Sequence, residues 1–330
     1  MKNKLFGQIT DIANAGIPVQ GLKIEAWDDD WPDSDDYMGR AITNQNGQYK
    51  IYFTDRDWDS DLLGLVSRFP DIYITVDIKN ADGKWVRLGK SGVFKDQPLN
   101  KDLQIDLGVK IEKEITKHIP FDPKKHGFKF VNSFLISPNI LNVNLGSWNM
   151  GFCGGMSAAS RHHFLNDSEI PQDKTTPKDG TPLFKKLLKR QITSTPPELI
   201  AQMYDWQSAP NVADWWRKPS IGQRTKSEWP KLKNELDNDR PTVIVLIRSY
   251  GYFDDPTQNH QVLAYGYEYN PSTKDLLIYV YDPNKPGQEN RLSMSLGLPE
   301  GKLFFRDSTK RRTRGFFVNP AGEIASSLSL

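Results

Sequence analysis

Residues 149–160 read Asn-Met-Gly-Phe-Cys-Gly-Gly-Met-Ser-Ala-Ala-Ser and hold Cys153, the single cysteine of the 330-residue chain. Two glycines and then small, helix-compatible residues follow the cysteine, which places Cys153 at or near the start of a helix. The unpaired N–H groups and the positive dipole end of a helix N-terminus favour a thiolate. The glycines allow a substrate backbone to approach closely. The stretch predicts a nucleophilic cysteine, and the alternative is an inert buried thiol.

Two later segments supply partners for a nucleophile. His260 opens a strand predicted over residues 261–269, and Asp282 ends the next predicted strand, over residues 276–282. If these strands pair antiparallel across the turn between them, Asp282 and Asn284 come near His260. Cysteine, histidine and carboxylate then match the roles of nucleophile, general base and orienting group. The alternatives are a packed core histidine and an aspartate that initiates a turn before proline.

These segments resemble the papain-like cysteine peptidase fold, nearest to its bacteriocin-processing-like branch. The resemblance is carried by residues 151–160, 259–267 and 278–287, in the order cysteine, histidine, aspartate. It implies that Cys153 attacks, that His260 moves the proton, and that Asp282 orients the imidazole.

The resemblance fails at the oxyanion donor. Papain-like enzymes usually carry a glutamine about six residues before the cysteine to stabilise the oxyanion, whereas position 147 here is serine. We expect Asn149 or the Cys153 backbone N–H to serve instead. The residues expected to lie beside the substrate are Trp148, Gly154, Gly155, Asn259 and Asn284.

The first hundred residues predict a different architecture. Strands are expected at residues 5–11, 21–27, 38–43, 48–54, 71–79, 84–88 and 103–107, with tight turns such as Asn46-Gly47 between them. Short strands with frequent turns indicate an antiparallel β-sandwich. On residues 7–11, 16–21 and 43–49, the stretch 4–108 resembles the transthyretin-like sandwich modules. That resemblance implies a role in binding or presentation, with a protein as the expected partner.

An acidic loop interrupts the sandwich at residues 27–36. Its closely spaced carboxylates repel one another unless water or a cation screens them, and calcium takes six to eight oxygen ligands. Asp28, Asp30 and Asp36 are the candidate calcium ligands. The alternative is a solvated acidic loop.

Composition and charge limit the remaining possibilities. Lys plus Arg number 43 and Asp plus Glu 41, which argues against nucleic-acid binding driven by bulk charge. No apolar run reaches the ~20 residues of a membrane helix, so we expect no integral membrane segment. A single cysteine excludes an intrachain disulfide and a cysteine-rich zinc site. We identify no signal peptide, so the chain is expected in the cytoplasm or exported without a cleaved signal, and its location is undetermined.

The predicted organisation is a multidomain chain. Residues 1–110 form an all-β transthyretin-like sandwich, residues 111–125 a linker, and residues 126–330 an α+β papain-like domain. In the last of these, helices are expected after Cys153, at residues 183–191 and at 197–207, followed by strands that include residues 242–247.

The predicted function is that of a cysteine hydrolase without a required cofactor, acting on a peptide or amide substrate. The alternatives are the same triad acting on a lipid ester, on peptidoglycan or in acyl transfer, and a non-catalytic binding protein on an inactive peptidase fold. A binding module fused to a hydrolase also fits a delivered effector or toxin, by analogy alone.

Overall fold

The computed structural model describes residues 3–30, 34–54, 69–98, 101–136, 148–213, 219–298, 305–307 and 312–328. The protein is mixed α/β with several sheets, about 25% helical and 35% strand. It divides into two compact units. The first comprises Met1–Ile115 and Asn270–Asp275, and the second comprises Thr116–Tyr269 and Leu276–Leu330.

The described part of the first unit is built from strands. They are β1 (Asn3–Asp11), β2 (Ile17–Pro18), β3 (Lys23–Asp28), β4 (Asp36–Ile42), β5 (Gln48–Phe53), β6 (Ile72–Lys79), β7 (Trp85–Lys90), β8 (Leu103–Gln104) and β9 (Leu107–Val109). One sheet runs β4-β3-β6-β7, and in the other β1 pairs with β2, β5, β8 and β9. The pairing of β1 with β8 and β9 is parallel, and its other pairings are antiparallel.

The core of the first unit follows from the two-residue period of its strands. Buried and partly buried side chains alternate along β1 and β3, so that Leu5 and Ile9 on β1 and Ile24 on β3 point inward. Side chains from both sheets, including Ile74 on β6, form one apolar cluster. The two sheets therefore pack face to face as a sandwich.

The second unit combines helices with a large sheet. Its elements are β10 (Ile115–His118), α1 (Pro123–His126), β11 (Phe134–Ile136), β12 (Trp148–Met150), α2 (Cys153–Leu165), α3 (Pro182–Ser194), α4 (Pro197–Gln207), α5 (Ile221–Asp237), β13 (Thr242–Ile247), β14 (His260–Asn270), β15 (Asp275–Tyr281), β16 (Asn290–Ser295), β17 (Phe305–Asp307), β18 (Arg312–Thr313), β19 (Gly315–Val318) and α6 (Pro320–Ser327). The sheet runs β18-β17-β16-β15-β14-β13-β19, with β10 paired to β14.

The central strand β13 is buried on both faces. Ile244 and Leu246 belong to a cluster that includes side chains of α5, whereas Val245 and Ile247 pack with side chains of α4. Its six residues are accordingly all apolar or threonine and all buried. The strand pairs with β14 so that Leu246 lies opposite His260. This pairing fixes His260 at the N-terminal end of β14, inside the sheet.

The segment predicted as a linker carries structure. The division between the units falls at residues 115 and 116, and β10 and α1 lie largely within or at the end of residues 111–125. Ile119 and Phe121 are almost fully buried in the core of the second unit. Charge density at residues 108–125 indicated a connector, but these two apolar side chains hold the stretch in the sheet domain.

Candidate active site

The position of Cys153 is set by buried aromatic side chains. Cys153 is the first residue of α2, directly after Phe152, which is fully buried and stacks on Phe134 with ring centroids 4.2 Å apart. Phe184 of α3 meets the Phe152 ring edge-on. The Phe152 N–H donates to the side-chain oxygen of Asn132. Apolar packing and one hydrogen bond therefore hold the helix start, and the sequence expectation that Cys153 begins a helix is confirmed.

His260 and Asp282 meet at the ends of neighbouring strands. His260 is the first residue of β14, and Asp282 directly follows β15. Asp282 Oδ1 lies 2.6 Å from His260 Nε2 and also accepts the Asn284 N–H at 2.8 Å. The Asn284 side-chain nitrogen is 3.3 Å from the same His260 Nε2. His260 and Asp282 are both buried, and the Asp282 carboxylate holds the imidazole through Nε2.

The second ring nitrogen of His260, Nδ1, is the one available to Cys153. Because Nε2 is engaged by Asp282, Nδ1 is the ring nitrogen that remains to exchange a proton with Cys153, whose pKa is lowered by His260. The sulfur also accepts the backbone N–H of Gln261, with the two atoms 3.4 Å apart. The three predicted residues are thus brought together in the order thiol, imidazole, carboxylate.

Electrostatics at this triad favour an ion pair. Burial by itself raises the pKa of Cys153, but the hydrogen bond and charge of His260 and the N–H groups of Gln261 and Gly154 outweigh it, so the pKa is lowered. Burial lowers the pKa of His260, yet the charge and hydrogen bond of Asp282, helped by Cys153, raise it to about 9. Burial likewise raises the pKa of Asp282, and His260 turns the net shift downward. The lowered pKa of Cys153 and the raised pKa of His260 both act in the direction of a thiolate that faces an imidazolium.

The cysteine and histidine open onto a cleft of about 740 Å³. Its surface is mainly apolar, with Met150, Ile200 and Met203 in the wall, and several amide and hydroxyl side chains also line it. The full lining is Asn132, Met150, Gly151, Cys153, Gln191, Thr195, Ile200, Met203, Arg248, Pro256, Thr257, Gln258, Asn259, His260, Gln261 and Asn284. A concave site of this size beside an activated thiol accommodates several atoms on each side of a reacting bond.

The side chains of Trp148 and Asn149, two of the expected site residues, fall outside the described part. Trp148 and Asn149 belong to β12, which pairs antiparallel with β11 so that Asn149 lies opposite Leu135. Their proposed contacts with a substrate or an oxyanion stay predictions.

Gly154 and Gly155 are not among the residues that line the cleft, and the expectation that they lie beside the substrate stays a prediction. A Cβ at Gly154 would be 2.3 Å from Ser194 Oγ, and one at Gly155 would be 2.4 Å from the Leu187 carbonyl oxygen of α3. The Gly155 N–H donates to the side-chain oxygen of Gln191. Gly155 therefore allows α2 to approach α3 closely, and Gly154 leaves room for the side chains of Ser194 and Gln261.

Asn259 lines the cleft but uses its side chain for support. Its Oδ1 accepts the backbone N–H groups of Arg248 and Ser249, and its Nδ2 donates to Gln207. Asn284 lines the cleft and contacts the His260 ring directly.

Several contributors were missed in the sequence. Asn132 joins the helix start to Asn284, donating to Asn284 Oδ1 at 3.0 Å while accepting the Phe152 N–H. The buried Gln261 side chain donates to Thr195 and accepts from Asn319, which fixes the backbone N–H aimed at the sulfur. The position of Gln261 directly after His260 was a usable signal. Asn132, which lies 20 residues before Phe152, gave none.

The candidate calcium ligands do not converge on a cation. Within the described ranges, no three His, Cys, Asp or Glu side chains gather where they could hold a metal ion. Asp28 is 1% exposed and accepts the Asp71 N–H through Oδ1. Burial, together with the neighbouring charges of Asp30 and Asp71, raises its pKa to about 7. Asp36 pairs with Asp28 in the β3–β4 register, and residues 31–33 of the acidic loop lie outside the described residues.

Comparisons with known proteins add little. No family model matches the chain, and no curated protein matches it. Among solved structures, it is similar to the crystal structure of a 9R-lipoxygenase from Cyanothece PCC8801, with a TM-score of 0.26 and 15% identity. That match covers 98% of this chain, which spans 43% of the lipoxygenase chain. A TM-score this low supports no argument about fold or activity. Of the helices described, none has the length and apolar character needed to span a membrane.

Proposed function

We propose that this chain is a cysteine-dependent hydrolase that cleaves a peptide or amide bond through a thioester on Cys153. The second unit would have the papain-like fold and carry the reaction. The first unit would be a transthyretin-like sandwich that binds a protein partner or presents the enzyme to it. One observation carries the proposal: His260 stands between the Asp282 carboxylate, 2.6 Å away, and the only thiol of the chain.

The proposed reaction has two halves. The Cys153 thiolate attacks the carbonyl carbon, and the imidazolium of His260 gives its proton to the leaving nitrogen as the C–N bond breaks. Water, deprotonated by His260, then attacks the thioester carbon and releases the acid and the thiol. Asp282 holds the imidazole in place and stabilises its protonated form in both halves.

The oxyanion of each tetrahedral intermediate needs donors close to Cys153. The backbone N–H of Cys153 has no acceptor within its own helix, because it is the first residue of α2. We assign it as one donor, and the side chain of Asn149 is the proposed second. Loss of one such donor typically costs 10²–10³ in rate, about 3–4 kcal/mol.

The experiment is the rate of Cys153 alkylation by iodoacetamide between about pH 5 and 9, in the wild type beside His260→Ala. With one cysteine in the chain, every labelled molecule reports the same thiol. The proposal expects rapid labelling well below the ordinary thiol pKa of about 8.5, and loss of that rapid phase in the variant. Labelling that rises only near pH 8.5 in both proteins refutes the hydrolase and leaves a binding protein on an inactive fold.

A further inference from the structure

The amide side chains that line the cleft have partners within the protein. Gln191 and Gln261 both donate to Thr195, and the side-chain oxygen of each accepts a further hydrogen bond. Asn132 and Asn259 each donate through the side-chain nitrogen and accept through the oxygen. A substrate that competed for these amides would leave their present partners unpaired, which costs free energy. The amides therefore build the site rather than select its substrate.

Three apolar side chains converge on the same cleft from two elements. Met150 ends β12, and Ile200 and Met203 lie on α4. Met150 is 43% exposed and Ile200 is 41% exposed, so both present apolar surface to a molecule that enters the cleft. Removing such surface from water is favourable and needs no hydrogen-bond partner. The surface that the cleft offers to a substrate is therefore mainly apolar.

The core holds this apolar wall in place. Met203 is almost fully buried and belongs to the apolar cluster that α4 forms with Val245 of β13. Tyr204, four residues after Ile200, lies on the same face of the helix and packs against Tyr252 with ring centroids 5.5 Å apart. Because α4 is fixed on both sides, the wall is formed before a substrate binds, which lowers the ordering cost of binding.

We infer that the substrate places a large apolar side chain next to the bond that is cleaved, and that Met150, Ile200 and Met203 form the wall that selects it. The inference rests on the proposed function and narrows its substrate class from any peptide or amide to a polypeptide that is apolar at the cleavage point. The two methionines have flexible, polarisable side chains, which adapt to apolar groups of different shapes.

Two matched pairs of alkylating reagents test the inference, one pair for each side of the reacting carbon. N-butyliodoacetamide and N-(3-hydroxypropyl)iodoacetamide place chains of equal length on the leaving-group side. N-acetyl-leucyl and N-acetyl-asparaginyl chloromethyl ketones place side chains of nearly equal shape on the acyl side. In each case the Cys153 thiolate displaces the halide, so an S–C bond forms as the carbon–halogen bond breaks. The measured quantity is the ratio of rates within each pair, apolar over polar.

The ratios are measured at about pH 6 in wild type, Ile200→Gln, Met150→Gln and the control Ile324→Gln, whose side chain is exposed on α6. The unfolded chain in denaturant gives the reference ratios. The inference expects at least one folded wild-type ratio to exceed its reference by roughly tenfold, the effect of burying about two methylene groups. Ile200→Gln and Met150→Gln each reduce that excess by about threefold, and Ile324→Gln keeps it.

Folded wild-type ratios equal to the reference ratios, with rapid iodoacetamide labelling at the same pH, overturn the inference and leave the hydrolase standing. An excess that persists in both Ile200→Gln and Met150→Gln contradicts the assigned wall. A further gain of roughly tenfold for N-dodecyliodoacetamide over the N-butyl reagent assigns the wall to a lipid chain and overturns a peptide side chain. Slow iodoacetamide labelling of the wild type removes the proposed function, and the inference with it.

Discussion

Replacing Asp282 by asparagine removes one negative charge from behind His260 while keeping an oxygen for the hydrogen bonds. The pKa of His260 is about 9 against an ordinary 6.5. That difference corresponds to about 3 kcal/mol in favour of the protonated ring, at 1.36 kcal/mol for each pKa unit. Asp282 is the largest of the contributions that raise this pKa. Assigning it more than half gives about 2 kcal/mol, or roughly 30-fold in the equilibrium constant between the ion pair and the neutral pair.

The pH window follows from the directions of the shifts. The thiolate–imidazolium pair exists between the lowered pKa of Cys153 and the raised pKa of His260, and it is lost on either side. Asp282→Asn lowers the upper limit toward the ordinary histidine value and raises the lower one. We therefore expect iodoacetamide labelling of Cys153 to fall at pH 6 by a factor of up to about 30, with a much smaller change above the thiol's ordinary pKa.

The assay is a stopped series of labelling reactions read by intact-mass spectrometry, with each rate divided by that protein's plateau rate at high pH. Asp82→Asn, in an exposed turn of the first unit, is the matched control and is expected to follow the wild type. An Asp282→Asn profile that superimposes on the wild-type profile would refute the claim that this carboxylate sustains the ion pair.

Three further predictions concern stability. Asp28 is buried with a pKa raised to about 7, so it contributes stability that is present below about pH 4 and lost as pH rises through 7. Asp28→Asn should therefore raise the free energy of unfolding at pH 8 by at most about 4 kcal/mol, and by much less at pH 4. Calorimetry that shows equal stabilisation at both pH values would contradict this. Gly155→Ala places a Cβ 2.4 Å from a backbone oxygen of α3, so we expect a loss of about 1–3 kcal/mol in urea unfolding, against no loss in the open-sited control Gly92→Ala. Arg314 donates to three backbone carbonyls, and its guanidinium lies over the Tyr250 ring at 4.5 Å. Arg314→Ala should therefore speed chymotryptic cleavage at exposed Tyr252 and Phe253 several-fold. An unchanged cleavage rate would show that other contacts hold the segment that carries these two residues.

The sequence was most informative where spacing along the chain determines spacing in the fold. The turn at residues 271–274 sets the register of β14 and β15, and that register brings Asp282 to His260. The strands of the first unit were likewise evident from two-residue alternation. The predicted strand at 103–107 is instead split into β8 and β9, between which Ile105 lies against Gly7.

The parts that escaped prediction depend on tertiary packing. Helix α5 was missed because Pro230 and many polar residues disguise its pattern, although Ser220 and Gln223 form a capping box at its start. The two glycines after Cys153 give the same sequence signal for substrate access and for helix contact, and the close approach of α3 to Gly155 was visible only in the structure. The role of Asn132 depends on a long-range contact that no local pattern encodes.

The ionisation of Cys153 is the most direct measurement of the central claim. A thiolate absorbs in the ultraviolet where a thiol does not, and the chain has a single cysteine, so the difference spectrum against Cys153→Ser reports one group. The account predicts that the thiolate signal persists to well below about pH 7, and that His260→Ala shifts its loss back toward the ordinary value of about 8.5. A wild-type titration centred near 8.5 would contradict the ion pair and the hydrolase built on it.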